Sequence, residues 1–312
     1  MSDFEAMATA YAQAGGDPGI LASPAVATMV VSGNRVLAAR TVPGIEFEAE
    51  ELAQGVKATI RVLPRTRLAT PVHLCFGLLP ERGVQQIVAA YEIGEYANVA
   101  FLAHCTFPNA VQVRHVMEAT MHVCQGAVLR YTEAHFHGPT GGVEVLPTAR
   151  VTVDPGGQFL TTFTLTKGRA GTVALDYSVD VGEQGVADLA TRIMGFGQDR
   201  IKVAETIRLN GTAARGIAKA RLALADEARG EVIGTTEGNA PEARGHIDCI
   251  EIVRDRAVGH AIPIVRVSDP RAQVTHEAAI GTVNRKELET LMARGLDERA
   301  AVDTIVKGLL AG

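Results

Sequence analysis

The side chains best suited to chemistry fall into two groups. His104 and Cys105, His115, His122 and Cys124, and then Glu133, His135 and His137 crowd one short segment. Residues two apart on a strand face the same side, so Glu133, His135 and His137 would present a carboxylate and two imidazoles together, a donor set suited to zinc or iron. The alternative for these three is a hydrogen-bonded surface strand without a metal. Cys105 and Cys124 add thiols that serve either sulfur or metal chemistry or plain packing, and Cys75 belongs to the same question. A second group spans His246, Asp248, Cys249, Glu251, His260, His276 and Glu277. One thiol among imidazoles and carboxylates suits iron and sulfide that must later be released, whereas a cage of thiolates would retain them. The bland reading of Cys249 is a small buried core residue.

Other chemistries lack their residues. No Gly-x-x-x-x-Gly-Lys-Ser/Thr occurs, and Gly195-Phe196-Gly197 lacks the third glycine of a dinucleotide fingerprint, so this chain is expected to bind no nucleotide. The five serines (Ser2, Ser23, Ser32, Ser178 and Ser268) include none in a nucleophile-elbow setting. The four cysteines show no Cys-x-x-Cys spacing, which argues against a disulfide framework or a zinc ribbon. With 30 Lys+Arg against 35 Asp+Glu and a net charge of −5, the 312-residue chain offers no broad basic field for nucleic acid. The acidic start, Met1-Ser2-Asp3-Phe4-Glu5, does not read as a secretory signal, and the longest uncharged stretch, Tyr96 to Val113, is too polar to span a membrane. A cytoplasmic protein with reduced thiols is the expectation.

The elements that must position these groups are mostly short strands. Residues 3–13 have helical composition and should stop at Gly15-Gly16, and residues 29–39 read as a hairpin about Gly33-Asn34. From about residue 70 to residue 281, runs rich in Val, Ile, Thr, Tyr and Phe alternate with Gly, Pro, Asn and Asp. Val173, Leu175, Tyr177, Val179 and Val181 alternate with polar or small residues, as do Phe159, Thr161, Phe163 and Leu165. Ile201, Val203, Ile207 and Leu209 repeat the pattern with Glu205 interrupting it. A mainly β core of about a dozen strands follows, arranged as a sandwich, a barrel or a parallel β-helix. Abundant small residues, Ala110, Ala119, Ala127 and Ala149 among them, suit a narrow stacked interior, but no repeat period is legible. Asn284 with Glu287, and then Asp297, read as the starts of two helices. Leu288, Leu291 and Met292 form an apolar stripe on the first, and Ala301, Val302, Ile305, Val306 and Leu309 on the second. These stripes must pack on the core or on a partner. The division expected is 1–68 for an N-terminal helix and small mixed region, 69–283 for the β core and 284–312 for a C-terminal helical segment.

The last 70 or so residues carry a specific likeness. Gly245-His246-Ile247-Asp248-Cys249, Ala261-Ile262-Pro263, Thr275-His276-Glu277-Ala278-Ala279-Ile280-Gly281, Leu291-Met292-Ala293-Arg294-Gly295-Leu296 and Ile305-Val306-Lys307-Gly308 occur in an order and spacing that resemble the SufB/SufD family of iron–sulfur cluster assembly scaffolds. The short length, with Pro71-Val72-His73-Leu74-Cys75-Phe76-Gly77 and Glu133-Ala134-His135-Phe136-His137-Gly138 upstream, is most similar to the compact archaeal-type single-scaffold (SmsB-like) members.

The resemblance implies a right-handed parallel β-helix core with a small N-terminal region and a C-terminal pair of α-helices. It implies a transient iron–sulfur cluster and a SufC-like ABC ATPase docked through Leu288, Leu291, Met292, Ile305, Val306 and Leu309. It further implies a second scaffold chain, as homodimer or heterodimer, together with a sulfur donor and recipient apoproteins. Family members often carry a cysteine where this chain has Ala257, which leaves Cys249 as the substitute thiol; His276 and Glu277 match a His-Glu motif, and His260 follows them as a candidate. Two alternatives stand beside this scaffold. One is a SufD-like structural subunit without its own cluster. The other is a metal-dependent, cupin-like enzyme using Glu133, His135 and His137, whose His-x-His pair is similar to a cupin's first motif although Glu144 lies too far beyond His137 to complete it.

Overall fold

The computed structural model describes residues 2–311. Four helices, α1 (Asp3–Ala14), α2 (Pro18–Ala22), α3 (Arg285–Ala293) and α4 (Glu298–Ala311), flank a run of strands that alternate between two sheets. One sheet has ten strands and the other nine, and from Val72 onward every neighbour pair within a sheet is parallel. Each strand therefore pairs with the strand one coil later, 29 or 30 positions on, as in the registers Arg215 against Arg244 and Asn98 against Val128. This is a parallel β-helix with two faces, and its interior is the core. The expected strand over 172–181 is the strand Thr172–Val181, buried on alternate residues as its pattern requires.

The interior is narrow because small and large side chains face one another across it. Ala89, Ala119 and Ala149 line up in register on one sheet. Tyr91, Phe101 and Tyr131 meet across the interior as edge-on and tilted ring pairs with centroids 5.7 to 6.4 Å apart. The corners repeat through backbone conformation rather than residue type. Arg65, Tyr96, Gly126, Gly156, Gln184, Ala213 and Glu242 all adopt the left-handed conformation, and these residues stack one above another. The amide of Tyr96 donates to the Gln125 carbonyl, that of Gly126 to Pro155 and that of Gly156 to Glu183, so the ladder runs through the corner from coil to coil.

The two ends differ. At the N-terminal end, antiparallel strands cover both sheet edges: Arg35–Arg40 pairs back on Thr28–Ser32, and Ile45–Leu52 pairs back on Gly55–Val62. Helix α1, started by a Ser2/Glu5 capping box and ended at Gly15 as expected, seats Met7 and Tyr11 on the outer sheet face. At the C-terminal end the last strands, Val258–Val267 and Gln273–Gly281, have no strand beyond them. The two C-terminal helices start where the caps predict, with Asn284 accepting from Lys286 and Glu287 and Asp297 accepting from Ala300. They pack on the chain's own sheet, where Val302 and Val306 are buried against Ala223 and Ile252.

Candidate functional site

The open end of the β-helix is built by the strand Arg244–Val253 and the two strands after it. Buried and less buried residues alternate along it, placing Ile247, Cys249 and Glu251 in the interior. Register sets Ile247 against His276, Asp248 against Glu277 and Cys249 against Ala278. Cys249 and His276 therefore share the interior rows, and His276 is exposed only because no further coil covers it. Glu277 lies in the outer row with Asp248, and His260 in the outer row of the other sheet, against Glu231. Ala257, at the corner between, is half-buried against the core. Within one chain the four predicted residues do not converge: among the described residues the trios of ligand atoms within 4.8 Å of one another are Cys105/Glu133/His135 and His122/Cys124/Asp154.

A residue of this end with an unmet chemical need is Glu251. It is 2% exposed, and neither carboxylate oxygen has a hydrogen-bond partner. Gly259 makes room for it, since a Cβ there would lie 2.2 Å from Glu251 Oε2. Burial raises the Glu251 carboxyl to about 7. Cys249 is pushed up to about 12, by burial first and then by Glu205, Glu251 and Asp248, against the opposing pull of Arg221. Without a cation at this end Cys249 is a thiol at neutral pH. Beneath it, Glu205 is also interior and 2% exposed, accepts from Thr191 Oγ1 at 2.7 Å, and is raised to about 7 by burial. Glu205 does not interrupt its strand's alternation; it occupies an inward position.

The second predicted cluster lies deep in the β-helix. Glu133, His135 and His137 do share one face of the strand Val128–His137, as their spacing predicts, but that face is the interior, where all three are 3% exposed or less. The surface-strand alternative is thereby corrected, and parallel coils replace the closed barrel of a cupin. Cys105, on the adjacent strand Asn98–Phe107, stands in register with His135. His135 Nε2 lies 2.7 Å from Glu133 Oε1, Tyr177 donates its hydroxyl to Glu133 Oε2 at 3.1 Å, and His135 Nδ1 faces His137 Nε2 at 3.4 Å. His137 Nδ1 faces the carbonyl oxygens of Arg169 and Ala170 at 3.1 and 3.2 Å, so it carries a proton and donates. Burial, and then His135, lowers His137 to about 3, which leaves this ring neutral with Nε2 as an acceptor. His115, fully buried, has no partner on either ring nitrogen, and its centroid is 6.1 Å from that of His135.

The remaining thiols are dispersed. Cys124 is partly exposed at a corner, 3.9 Å from His122 Nδ1, while His122 Nε2 meets Asp154 at 2.9 Å. Cys75 is buried beneath α1 beside Tyr11, whose hydroxyl lies 2.7 Å from His73 Nδ1. On the helical segment Val306 is buried, Leu288, Leu291, Ile305 and Leu309 are half-buried, and Met292 is exposed. Sequence reasoning missed Glu205 and Tyr177, and grouped Glu251 with other ligand types without singling it out. The available signal was a charged or hydroxylated residue at an inward position of an otherwise apolar alternation.

Residues 82–309 match the family described as the SUF system FeS cluster assembly, SufBD core domain. An iron–sulfur cluster assembly SufBD family protein of Methanocaldococcus jannaschii is 39% identical over 282 residues, covering 90% of this chain and 89% of that protein. One from Pyrococcus horikoshii is 32% identical over 310 residues, covering 99% and 94%. One from Archaeoglobus fulgidus is 29% identical over 267 residues, covering 80% and 67%. A β-helix with an uncovered C-terminal coil, and a sequence matched along nearly its whole length to archaeal relatives, lead to one assignment: the chain belongs to the SufB/SufD family of the SUF iron–sulfur cluster assembly system.

Proposed function

We propose that this chain is the scaffold on which a SUF-type complex builds an iron–sulfur cluster, with the nascent cluster held as cargo at the open end of the β-helix. The observation that carries this reading is the buried Glu251 carboxylate, unpaired on both oxygens, one coil below the uncovered end and on the interior row of Cys249. Iron would neutralise that carboxylate and draw the proton from the Cys249 thiol. His276 is the imidazole on the same interior face, and imidazole and carboxylate ligands let a finished cluster leave more readily than thiolates do. Glu277 and His260, in the outer rows of the last strands, reach the site from a second scaffold chain placed end to end. A homodimer meets this need without a paralogue.

The ATPase partner, SufC-like, docks on the outward side of α3 and α4. Their inward side already holds Val302 and Val306 against the chain's own sheet, so the exposed Met292 and the half-buried Leu291 are its first contacts. Sulfur arrives from a separate donor, finished clusters pass to recipient apoproteins in the cytoplasm, and this chain itself catalyses no turnover. The deciding experiment is anaerobic iron and sulfide reconstitution followed by absorption and Mössbauer spectroscopy, with Cys249→Ser and Glu251→Gln alongside. A cluster on wild type that is lost or markedly reduced in both variants is expected. A second reading, a SufD-like subunit without its own cluster, is favoured by Ala257 where family members often carry cysteine; no cluster on wild type, with an ATPase partner present, would establish it.

A further inference from the structure

We propose that the interior of the β-helix contains a separate, mononuclear site for a divalent transition-metal ion of borderline softness, zinc or ferrous iron, with Cys105, Glu133 and His135 as ligands and His115 as the fourth donor. This site is distinct from the open end in position and in residues. Its donors come from neighbouring coils, with Cys105 and His135 in register on adjacent parallel strands and Glu133 one inward position before His135. The thiol, a carboxylate oxygen and an imidazole nitrogen all lie within 4.8 Å of one another, as ligand atoms around one ion do.

The hydrogen-bond pattern supplies an independent reason for a cation. His137 donates from Nδ1 to two carbonyl oxygens and so presents Nε2 as an acceptor to His135 Nδ1, 3.4 Å away. The other ring nitrogen, Nε2, faces a second acceptor, Glu133 Oε1, at 2.7 Å, and a neutral imidazole has a single N–H to serve the two. Whichever contact is left without that N–H sets two lone pairs against each other away from water, and they repel unless a positive charge lies between or beside them. A proton meets that need when no metal is bound. A divalent ion meets it together with the Cys105 thiol, because binding displaces the thiol proton and the proton shared by Glu133 and His135. Two protons leave as two positive charges arrive, so the buried site keeps the same net charge.

The surroundings are those of a metal centre's supporting shell. Tyr177 holds Glu133 through its other oxygen, and His137 fixes the ring of His135. His115 is a fully buried imidazole with both nitrogens unpartnered, a costly arrangement that coordination would relieve. Phe107 and Phe163 pack against His115 and His135 and keep water away.

The test is made on the full chain, unfolded with a chelator present, refolded with one equivalent of cobalt(II) as a spectroscopic stand-in, and compared with zinc by competition. Expected are one tightly held ion per chain, a thiolate-to-cobalt charge-transfer band, the visible bands of a four-coordinate site, and two protons released per ion. Cys105→Ala, which leaves a small apolar side chain in the core, should abolish the charge-transfer band while far-UV circular dichroism is retained. Cys124→Ser and Cys249→Ser should leave the band unchanged, which separates this site from the partly exposed trio and from the open end. A refolded wild type without the band, or a band that persists in Cys105→Ala, would overturn the proposal. Neither result depends on whether a cluster assembles at Cys249.

Discussion

The two ends of the β-helix are made from the same strand geometry and finished in opposite ways. At the N-terminal end the chain turns back twice into antiparallel strands, and the interior residues there, Val72, Leu74 and Phe76, are inaccessible. At the C-terminal end the last coil leaves its backbone edges unpaired and Ile262, Ile264, Val265, Val267 and Ile280 more than 40% exposed. Unpaired edges beside an apolar patch invite another chain, and natural sheets normally blunt them. The N-terminal end shows that this sequence is able to build such a cover. No such cover is present at the other end among the described residues, and Glu251, Cys249 and His276 lie there, where the proposed second scaffold chain is placed.

The comparison breaks most directly by truncating one interior residue at each end. Phe76→Ala should cost about 3–5 kcal/mol, because a fully buried ring leaves a cavity that close-packed coils do not refill. Val265→Ala should cost under about 1 kcal/mol in the isolated chain, where the side chain is 41% exposed. Urea denaturation of both variants at a concentration that keeps the chain monomeric makes the measurement, and equal losses would mean that the last coil is packed after all. Next in size is the helical segment. Val306→Glu places a carboxylate against Ala223 and Ile252 and should lower the melting temperature, whereas Leu291→Glu with Met292→Glu should leave it nearly unchanged and abolish ATPase capture in a pull-down. If the double variant melts early as well, α3 belongs to the core rather than to a docking face. Smaller in energy is the end-to-end contact: Val265→Lys with Ile280→Lys should weaken self-association at least tenfold, about 1.4 kcal/mol, in sedimentation equilibrium, and unchanged association would move the interface away from the open end.

What was legible in the sequence follows from the range over which each feature is specified. Alternation is local, so the strand Thr172–Val181 and the caps at Asn284 and Asp297 could be read residue by residue. The coil repeat was not legible, because its corner position is held by Arg65, Tyr96, Gln184, Ala213 and Glu242 as well as by Gly126 and Gly156; hydrogen bonds from the next coil stabilise the left-handed backbone there, and no residue type is required. The β-helix was therefore named from resemblance and not from period. Glu133 and His135 were correctly placed on one face, but that the face is interior depends on strands 30 positions away. His137 looked like a ligand by spacing, yet Nδ1 is occupied by carbonyls of Arg169 and Ala170, which local sequence does not place beside it. Cys249 and His276 share interior rows only through the register of the last coil.

The smallest effect expected is on the pH dependence of stability, and it sharpens the contrast because both groups responsible lie toward the open end. Glu205 and Glu251 are each raised by burial from the ordinary 4.5 to about 7. Between those values the folded chain holds protons that the unfolded chain has released, so stability falls as pH rises through this window. Glu205 keeps a Thr191 hydrogen bond in either state, whereas the Glu251 carboxylate has no partner to offset its charge. Buried His73, His104, His115 and His137 are all lowered from the ordinary imidazole value of 6.5 and pull the other way below it, so melting temperature measured without iron should decline from about pH 6.5 to pH 8, and Glu251→Gln should flatten that decline more than Glu205→Gln does. Ferrous iron and sulfide should remove the Glu251 share of it, because a bound cation replaces the proton. A decline of the same steepness in Glu251→Gln would mean that the carboxylate finds water or a partner across the open end, and the case for a cargo cation at that position would fall with it.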